Sequence, residues 1–205
     1  DADKAIELVR EVGQGTPLGR ILGSGAGYTA KAYGMERAPV VKNQAIPAYD
    51  PRSVKGMGVT YATTPMGADH TAGYAVTANI TKVGGDVDPL QTQGQVDLSR
   101  DLQVATAAVD STGMCLFIAF AILDQQETFQ ALIDLVNSFA GTQLTAEGVN
   151  ELGRSVLKNE RDFNTRAGFC PADDRLPRFF RRESLSPHQT VFDVEDAELD
   201  QVFNW

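Results

Sequence analysis

In the run Val109-Asp110-Ser111-Thr112-Gly113-Met114-Cys115-Leu116-Phe117, an acidic residue, a glycine and a thiol fall within six positions. The carboxylate of Asp110 can accept hydrogen bonds from the amino groups of a ligand, and Gly113 lets backbone approach a bulky group closely. Cys115 is a soft ligand or a nucleophile. A cysteine at the head of an apolar run is by default a small buried hydrophobe, so the pattern identifies no site by itself. A second candidate is His70, one of two histidines, at the end of the turn Thr64-Pro65-Met66-Gly67-Ala68-Asp69-His70. A lone histidine after a turn is ordinarily a surface or hydrogen-bonded residue, and it too needs support from its neighbours.

Other chemistries find little purchase. No Gly-x-Ser-x-Gly is present for a serine nucleophile, and His70, His188, Cys115 and Cys170 are too scattered for a zinc site. Cys170-Pro171 is like the end of a ferredoxin ligand run but lacks the clustered partners, so Cys170 reads as structural or incidental. A single thiol could serve an iron–sulfur cluster only if the other three ligands lie elsewhere. Gly23-Ser-Gly-Ala-Gly27 fits neither phosphate-loop spacing and reads as small residues where two helices touch. Asp86 and Asp88 lack calcium-loop spacing. A net charge of −9 argues against nucleic acid or an anionic membrane as partner, and no apolar run reaches a membrane-spanning length. Two cysteines make no disulfide framework, and the chain reads as cytoplasmic.

The elements that must position these residues are helices. An apolar face over Asp3 to Val12 predicts the first, and Thr16-Pro17 starts a second. Tyr28 to Tyr33 reads as a third. Residues Ala38 to Pro47 are the one extended stretch, since Pro39, Pro47 and Pro51 exclude a helix interior. Asp50-Pro51 predicts a capped start for the glycine-dense helix of Lys55 to Ala62, where tight packing or a bulky ligand must require the glycines. Thr81 to Gln95 is polar and glycine-rich, a loop and the only candidate internal boundary. Leu98, Leu102, Ala105 and Val109 then stand at helical spacing and lead into Asp110. Asp124 with Glu127 predicts a capping box for a helix burying Phe129, Leu132, Ile133, Val136 and Phe139. Thr145 caps a longer helix through Phe163, Asp173 to Glu183 reads as a charged surface loop, and Asp193 starts a helix over Val194 to Phe203. The class is all-α and multihelical, with seven or more helices. The chain opens at Asp1 directly into helical periodicity, as expected for part of a longer polypeptide.

Several motifs in order carry a resemblance. Ile46-Pro-Ala-Tyr-Asp50-Pro-Arg, Lys55-Gly-Met-Gly, Tyr61-Ala-Thr, Gly67-Ala-Asp-His70, Asp110-x-x-Gly113-Met-Cys115, Glu160-Arg-x-Phe-Asn164-x-Arg-x-Gly168 and Asp174-x-Leu-Pro resemble the tungsten-containing aldehyde:ferredoxin oxidoreductases. The resemblance covers their C-terminal helical part and runs from about Gly15 to the end. It implies a cytoplasmic enzyme that oxidises an aldehyde to a carboxylate at a tungsten (or molybdenum) bis-pterin centre. Electrons would then pass through a [4Fe–4S] cluster to ferredoxin.

Carried onto this sequence, the resemblance implies that Asp110 binds a pterin, that Gly113 and Met114 lie against it, and that Cys115 is the fourth cluster ligand. Met114 replaces the common leucine. His70 matches a histidine beside the metal, placed to donate a hydrogen bond to substrate oxygen or to shuttle a proton. Thr71-Ala72 stand where the family often has a basic residue. The Glu160 to Gly168 motif reads as packing, with Arg161 and Arg166 pairing with Asp162, Asp173 or Asp174. The family's N-terminal pterin-binding domain, first pterin motif, three clustered cysteines and glutamate base are not in these residues. The expectation is therefore a part of an enzyme that neither holds the cofactors nor turns over alone. The other class of function considered is a helical scaffold or interaction module without catalysis.

Overall fold

The computed structural model describes all residues from Asp1 to Trp205. Its central element is α5 (Gln95–Ser111), which buries Leu102, Val104, Ala107, Ala108 and Val109. Two helices pack along it: α4 (Lys55–Thr63) and α8 (Ala146–Arg166). α4 is buried at all nine positions, so it has no solvent face and shows no amphipathic stripe. Its glycines exist for packing. A Cβ on Gly58 would stand 2.4 Å from Phe192, and one on Gly56 would stand 2.6 Å from the Asn79 side chain and 2.8 Å from Ala75. α8 comes equally close to α5, where a Cβ on Gly153 would lie 2.0 Å from the Val104 carbonyl oxygen. Between α4 and α5 runs a polar seam: Thr60 and Ser99 share a hydroxyl hydrogen bond of 2.7 Å, and Gln103 Nε2 donates to Thr63 Oγ1 at 3.1 Å.

The main core gathers Met57, Val59 and Tyr61 of α4 with Leu176, Phe180, Phe192, Val194 and Val202 from the C-terminal segments. The N-terminal helices α1 (Ala2–Gln14), α2 (Pro17–Gly23) and α3 (Ala26–Ala32) lie outside it, and α1 buries no residue. The helix contact expected at Gly23 to Gly27 is present at Gly23, where a Cβ would reach Val12 of α1 at 3.0 Å; Gly27 packs instead on Asn43, outside any helix, where a Cβ would stand at 3.0 Å. The extended stretch forms a hairpin, β1 (Val40–Val41) and β2 (Gln44–Ala45), with Val40 opposite Ala45 and Val41 opposite Gln44. Lys42 and Asn43 make its two-residue turn, both with positive φ, the geometry that suits a tight hairpin. The all-α, multihelical class holds, with this hairpin as the only sheet.

Several local expectations are corrected. Asp50 caps a turn rather than a helix, accepting from Arg52 N at 2.9 Å; α4 starts later, at Lys55. Thr77–Thr81 forms one π-helical turn. Leu116–Ile118 is a 3-10 turn before α6 (Ala119–Asp124). Asp124 therefore ends a helix and cannot form the capping box with Glu127; α7 (Gln126–Ala140) starts after an extended Gln125 with no side-chain cap. The segment Asp173 to Glu183, expected as a charged surface loop, follows a 3-10 turn (Pro171–Asp173), holds α9 (Phe179–Arg182) and buries Asp174, Leu176 and Phe180. The C-terminal helix is short: α10 (Asp196–Leu199), capped by Glu195 and Glu198 rather than started at Asp193. Thr145 does cap α8, accepting from Gly148 N at 3.1 Å. No helix is long and apolar enough to cross a membrane.

Candidate functional site

A groove of about 700 Å³ opens between the C-terminal half of α5, the segment from Thr64 to Ala72, and α8. Each helix contributes one face. Gln103, Thr106, Ala107 and Asp110 follow the i, i+3, i+4, i+7 spacing that puts side chains on one side of α5. Val156, Asn159, Glu160, Phe163 and Asn164 do the same on α8. Three carboxylates face the space: Asp69, Asp110 and Glu160. Partial burial, and then the charge of Asp69, raises Asp110 above the ordinary carboxylate range. Glu160 is raised for the same reason, burial first and then Asp110. The groove is thus rich in acceptors and costly for negative charge. One buried acceptor in its wall is unused: Gln103 spends Nε2 on Thr63 and Ser99, while its Oε1 has no partner.

α5 ends where the chemistry-bearing run begins. The Thr112 and Gly113 amides close the last turn onto Val109 and Asp110 carbonyls, and Gly113 adopts φ +76, a left-handed conformation that favours glycine. Nothing lies within 4 Å of where its Cβ would be, so the space over Gly113 is open. Met114 follows half-buried. Cys115 is exposed and free, unlike the buried hydrophobe that is the default for such a thiol. Cys170 is also exposed; its amide is held by Asp173 Oδ2 at 2.8 Å as the cap of a 3-10 turn, in keeping with a structural reading. No three His, Cys, Asp or Glu side chains converge as a metal-binding group.

His70 stands next to Asp69 at the edge of the groove, with 42% of its side chain exposed and Nδ1 3.9 Å from the Asp69 carboxylate. Asp69 is itself pinned, accepting from Thr71 N at 2.9 Å. The imidazole has aromatic neighbours: Tyr49 at 6.1 Å and Tyr74 at 6.0 Å between ring centres. The two tyrosine hydroxyls hydrogen-bond to each other, and burial together with this bond pushes Tyr74 up to about 12. Tyr74 meets Phe120 edge-on at 6.0 Å, and Phe120 stacks with Phe117 at 6.4 Å. An aromatic path therefore links the His70 turn to the residues just after Cys115, although 45 positions separate the two in sequence.

Of the residues read from sequence, Asp110 lines the groove, His70 flanks it through Asp69, and Gly113, Met114 and Cys115 lie beyond its end. The 160s motif is split in role. Arg161 pairs with Asp174 at 3.0 Å and Arg166 with Asp162 at 3.8 Å, as the packing reading expected, but Glu160, Phe163 and Asn164 face the groove. Gln103 and Asp69 went unread as site residues; the seven-residue spacing of Gln103 from Asp110 on one helix was the available signal.

A family profile described as "Aldehyde ferredoxin oxidoreductase, domains 2 & 3" matches residues 1–204. The chain belongs to this family. Over 180 residues it is 32% identical to the tungsten-containing aldehyde ferredoxin oxidoreductase of Pyrococcus furiosus, an alignment covering 86% of this chain and 29% of that protein. The proteins of the same name from Pyrococcus horikoshii and Thermococcus kodakarensis are 30% and 32% identical over 183 and 171 residues. These alignments cover 86% and 82% of the chain but only 29% and 27% of the relatives, so the chain spans under a third of their length. The aldehyde ferredoxin oxidoreductase family thus supplies the context in which the groove, the histidine turn and the exposed thiol must be read together.

Proposed function

We propose that these residues form one wall of the metal–pterin site of an aldehyde:ferredoxin oxidoreductase, which oxidises an aldehyde to a carboxylate. The observation that carries this reading is the groove on α5 and α8, where Asp110, Glu160 and the unpartnered Gln103 Oε1 offer acceptors to an amino-substituted ring. These residues fit the amino edge of a pterin and not its phosphate, which three carboxylates would repel. Asp110 accepts hydrogen bonds from that edge, and the backbone of Gly113 and Met114 lies against it where the space is open. Cys115 supplies one thiolate to a [4Fe–4S] cluster. The other three ligands come from outside these residues, because Cys170 is engaged elsewhere as a turn cap.

Oxidation of an aldehyde takes an oxygen from water and releases two electrons with the accompanying protons. The chemistry a tungsten (or molybdenum) bis-pterin would supply beside Asp110, Gly113 and Met114 is that of an acceptor for this electron pair, with ferredoxin as the onward acceptor. His70 would donate a hydrogen bond to the substrate oxygen, or relay a proton released by the oxidation to solvent through its exposed edge. Turnover of an aldehyde with a reduced-ferredoxin readout, in the full-length protein carrying these residues, tests the assignment. His70→Ala is expected to abolish turnover with tungsten retained, and Cys115→Ser to lose the cluster's paramagnetic signal and ferredoxin reduction. Unaltered kinetics in the first variant, or an unaltered signal in the second, removes that residue from its role. A full-length protein that takes up neither tungsten nor iron returns the chain to the scaffold class.

A further inference from the structure

Four consecutive backbone carbonyls, from Ala62 to Pro65, are each held by a side chain from another part of the chain. Lys42 Nζ donates to Ala62 O and to Thr64 O, both at 3.1 Å. Arg161 Nη1 donates to Thr63 O at 3.1 Å, and Asn164 Nδ2 donates to Pro65 O at 2.8 Å. Asp174 ties the two cations together, 2.6 Å from Lys42 Nζ and 3.0 Å from Arg161 Nη2. With two carbonyls and one carboxylate, all three N–H groups of the Lys42 ammonium are used. The Lys42 side chain is 4% exposed, and burial lowers its pKa while Asp174 opposes the shift. The same hairpin presses on the next residues, since a Cβ on Gly67 (φ +103) would lie 2.6 Å from Val41 O.

We propose that Lys42, Arg161, Asn164 and Asp174 are positioning residues for His70: their grip on the carbonyls of residues 62–65 fixes the turn on which the imidazole stands. Helix C-termini leave orphan carbonyls that glycine caps or water normally satisfy, and cations are favoured there. Here the grip continues past the helix end, through Thr64 and Pro65, toward Asp69 and His70. α4 does not need it for anchorage, being buried on every side already. A buried ion pair is a poor way to gain stability compared with apolar packing, whereas it is a good way to specify one geometry. A group that handles a proton in a reacting complex needs that geometry, because small misplacements are expensive in rate.

The inference rests on the proposed role of His70, and its test separates the two. Lys42→Met leaves Asp174 buried with one partner fewer and risks the fold, so Asn164→Leu is the decisive variant: it is close in size and removes the donor to Pro65 O without adding a charge to the carboxylate-lined groove. In the full-length, metal-loaded protein three quantities are followed: amide hydrogen exchange of residues 66–71, kcat and KM for an aldehyde, and tungsten content. The expected result is faster exchange confined to this turn and a kcat lower by about tenfold to a hundredfold. KM and tungsten should stay as in the parent, and Asn164→Gln should recover part of the loss. Unchanged exchange and kcat would overturn the proposal, as would a parallel fall in kcat and tungsten, which marks collapse of the site. A parent protein that turns over no aldehyde refutes the functional reading instead, while the exchange result still decides whether the grip holds the turn.

Discussion

Asp110 and Glu160 stand in the groove at a cost to the folded state. Each has its pKa raised by burial first and by a neighbouring carboxylate second, so the folded protein holds these protons more tightly than the unfolded chain. The linkage sign follows: stability falls as pH rises from the unfolded carboxylate pKa through the raised folded one, and the penalty is full above it. Asp110→Asn removes that penalty and keeps the shape. It is expected to leave stability unchanged or raise it by no more than about 0.5 kcal/mol at neutral pH, since Asp110 is a largely exposed rim residue. The gain should vanish at acid pH, where the native carboxylate is protonated too; denaturant melts at two pH values measure this. The same variant is expected to lose pterin and turnover. Stability that rises while cofactor retention falls marks a residue kept for its site. Sequence placed Asp110 by resemblance but could not show that Asp69 and Glu160 face it, because their proximity depends on three elements meeting.

At the scale of elements, the helices with one solvent face were readable and the fully buried one was only half readable. α5 and α8 declare themselves through apolar spacing, and Thr145 through its cap. α4 has no stripe because every side is buried; its glycines signalled close approach without saying to what. The π-helical turn at Thr77–Thr81 had no local signal, and the buried half of the Asp173 to Glu183 segment was masked by its arginines. Glycines that look alike in sequence separate cleanly here. Gly58→Ala gains about 1 kcal/mol of helix propensity but drives a methyl to 2.4 Å from Phe192, and such overpacking costs about 1–3 kcal/mol, so net destabilisation is expected. Gly13→Ala in α1 meets nothing within 4 Å and should instead stabilise, by up to about 1 kcal/mol. Opposite shifts of the denaturant midpoint in the two variants would bear this out; a stabilised Gly58→Ala would show that Phe192 can move aside freely.

At the scale of the whole molecule, large apolar side chains stand exposed. α1 buries none of its residues, Phe139 of α7 is 92% exposed and Phe117, two residues after Cys115, is 81% exposed. The groove is open along one side, and the exposed thiol has no second cysteine, histidine or carboxylate pair converging on it. A four-iron cluster needs four ligands, and on the proposed reading a carboxylate wall would bind one edge of a pterin without holding its phosphate. Relatives of this family are more than three times as long as the stretch they share with this chain, so most of their polypeptide lies outside it. The physical expectation is a site completed by that polypeptide. Residues 1–205 produced alone should therefore contain only traces of tungsten and iron by elemental analysis and give no cluster signal in electron paramagnetic resonance. The same residues within a full-length protein should carry both. One equivalent of cluster bound to residues 1–205 alone would mean that Cys115 has protein partners the exposed thiol does not reveal, and it would overturn the one-wall reading of the site.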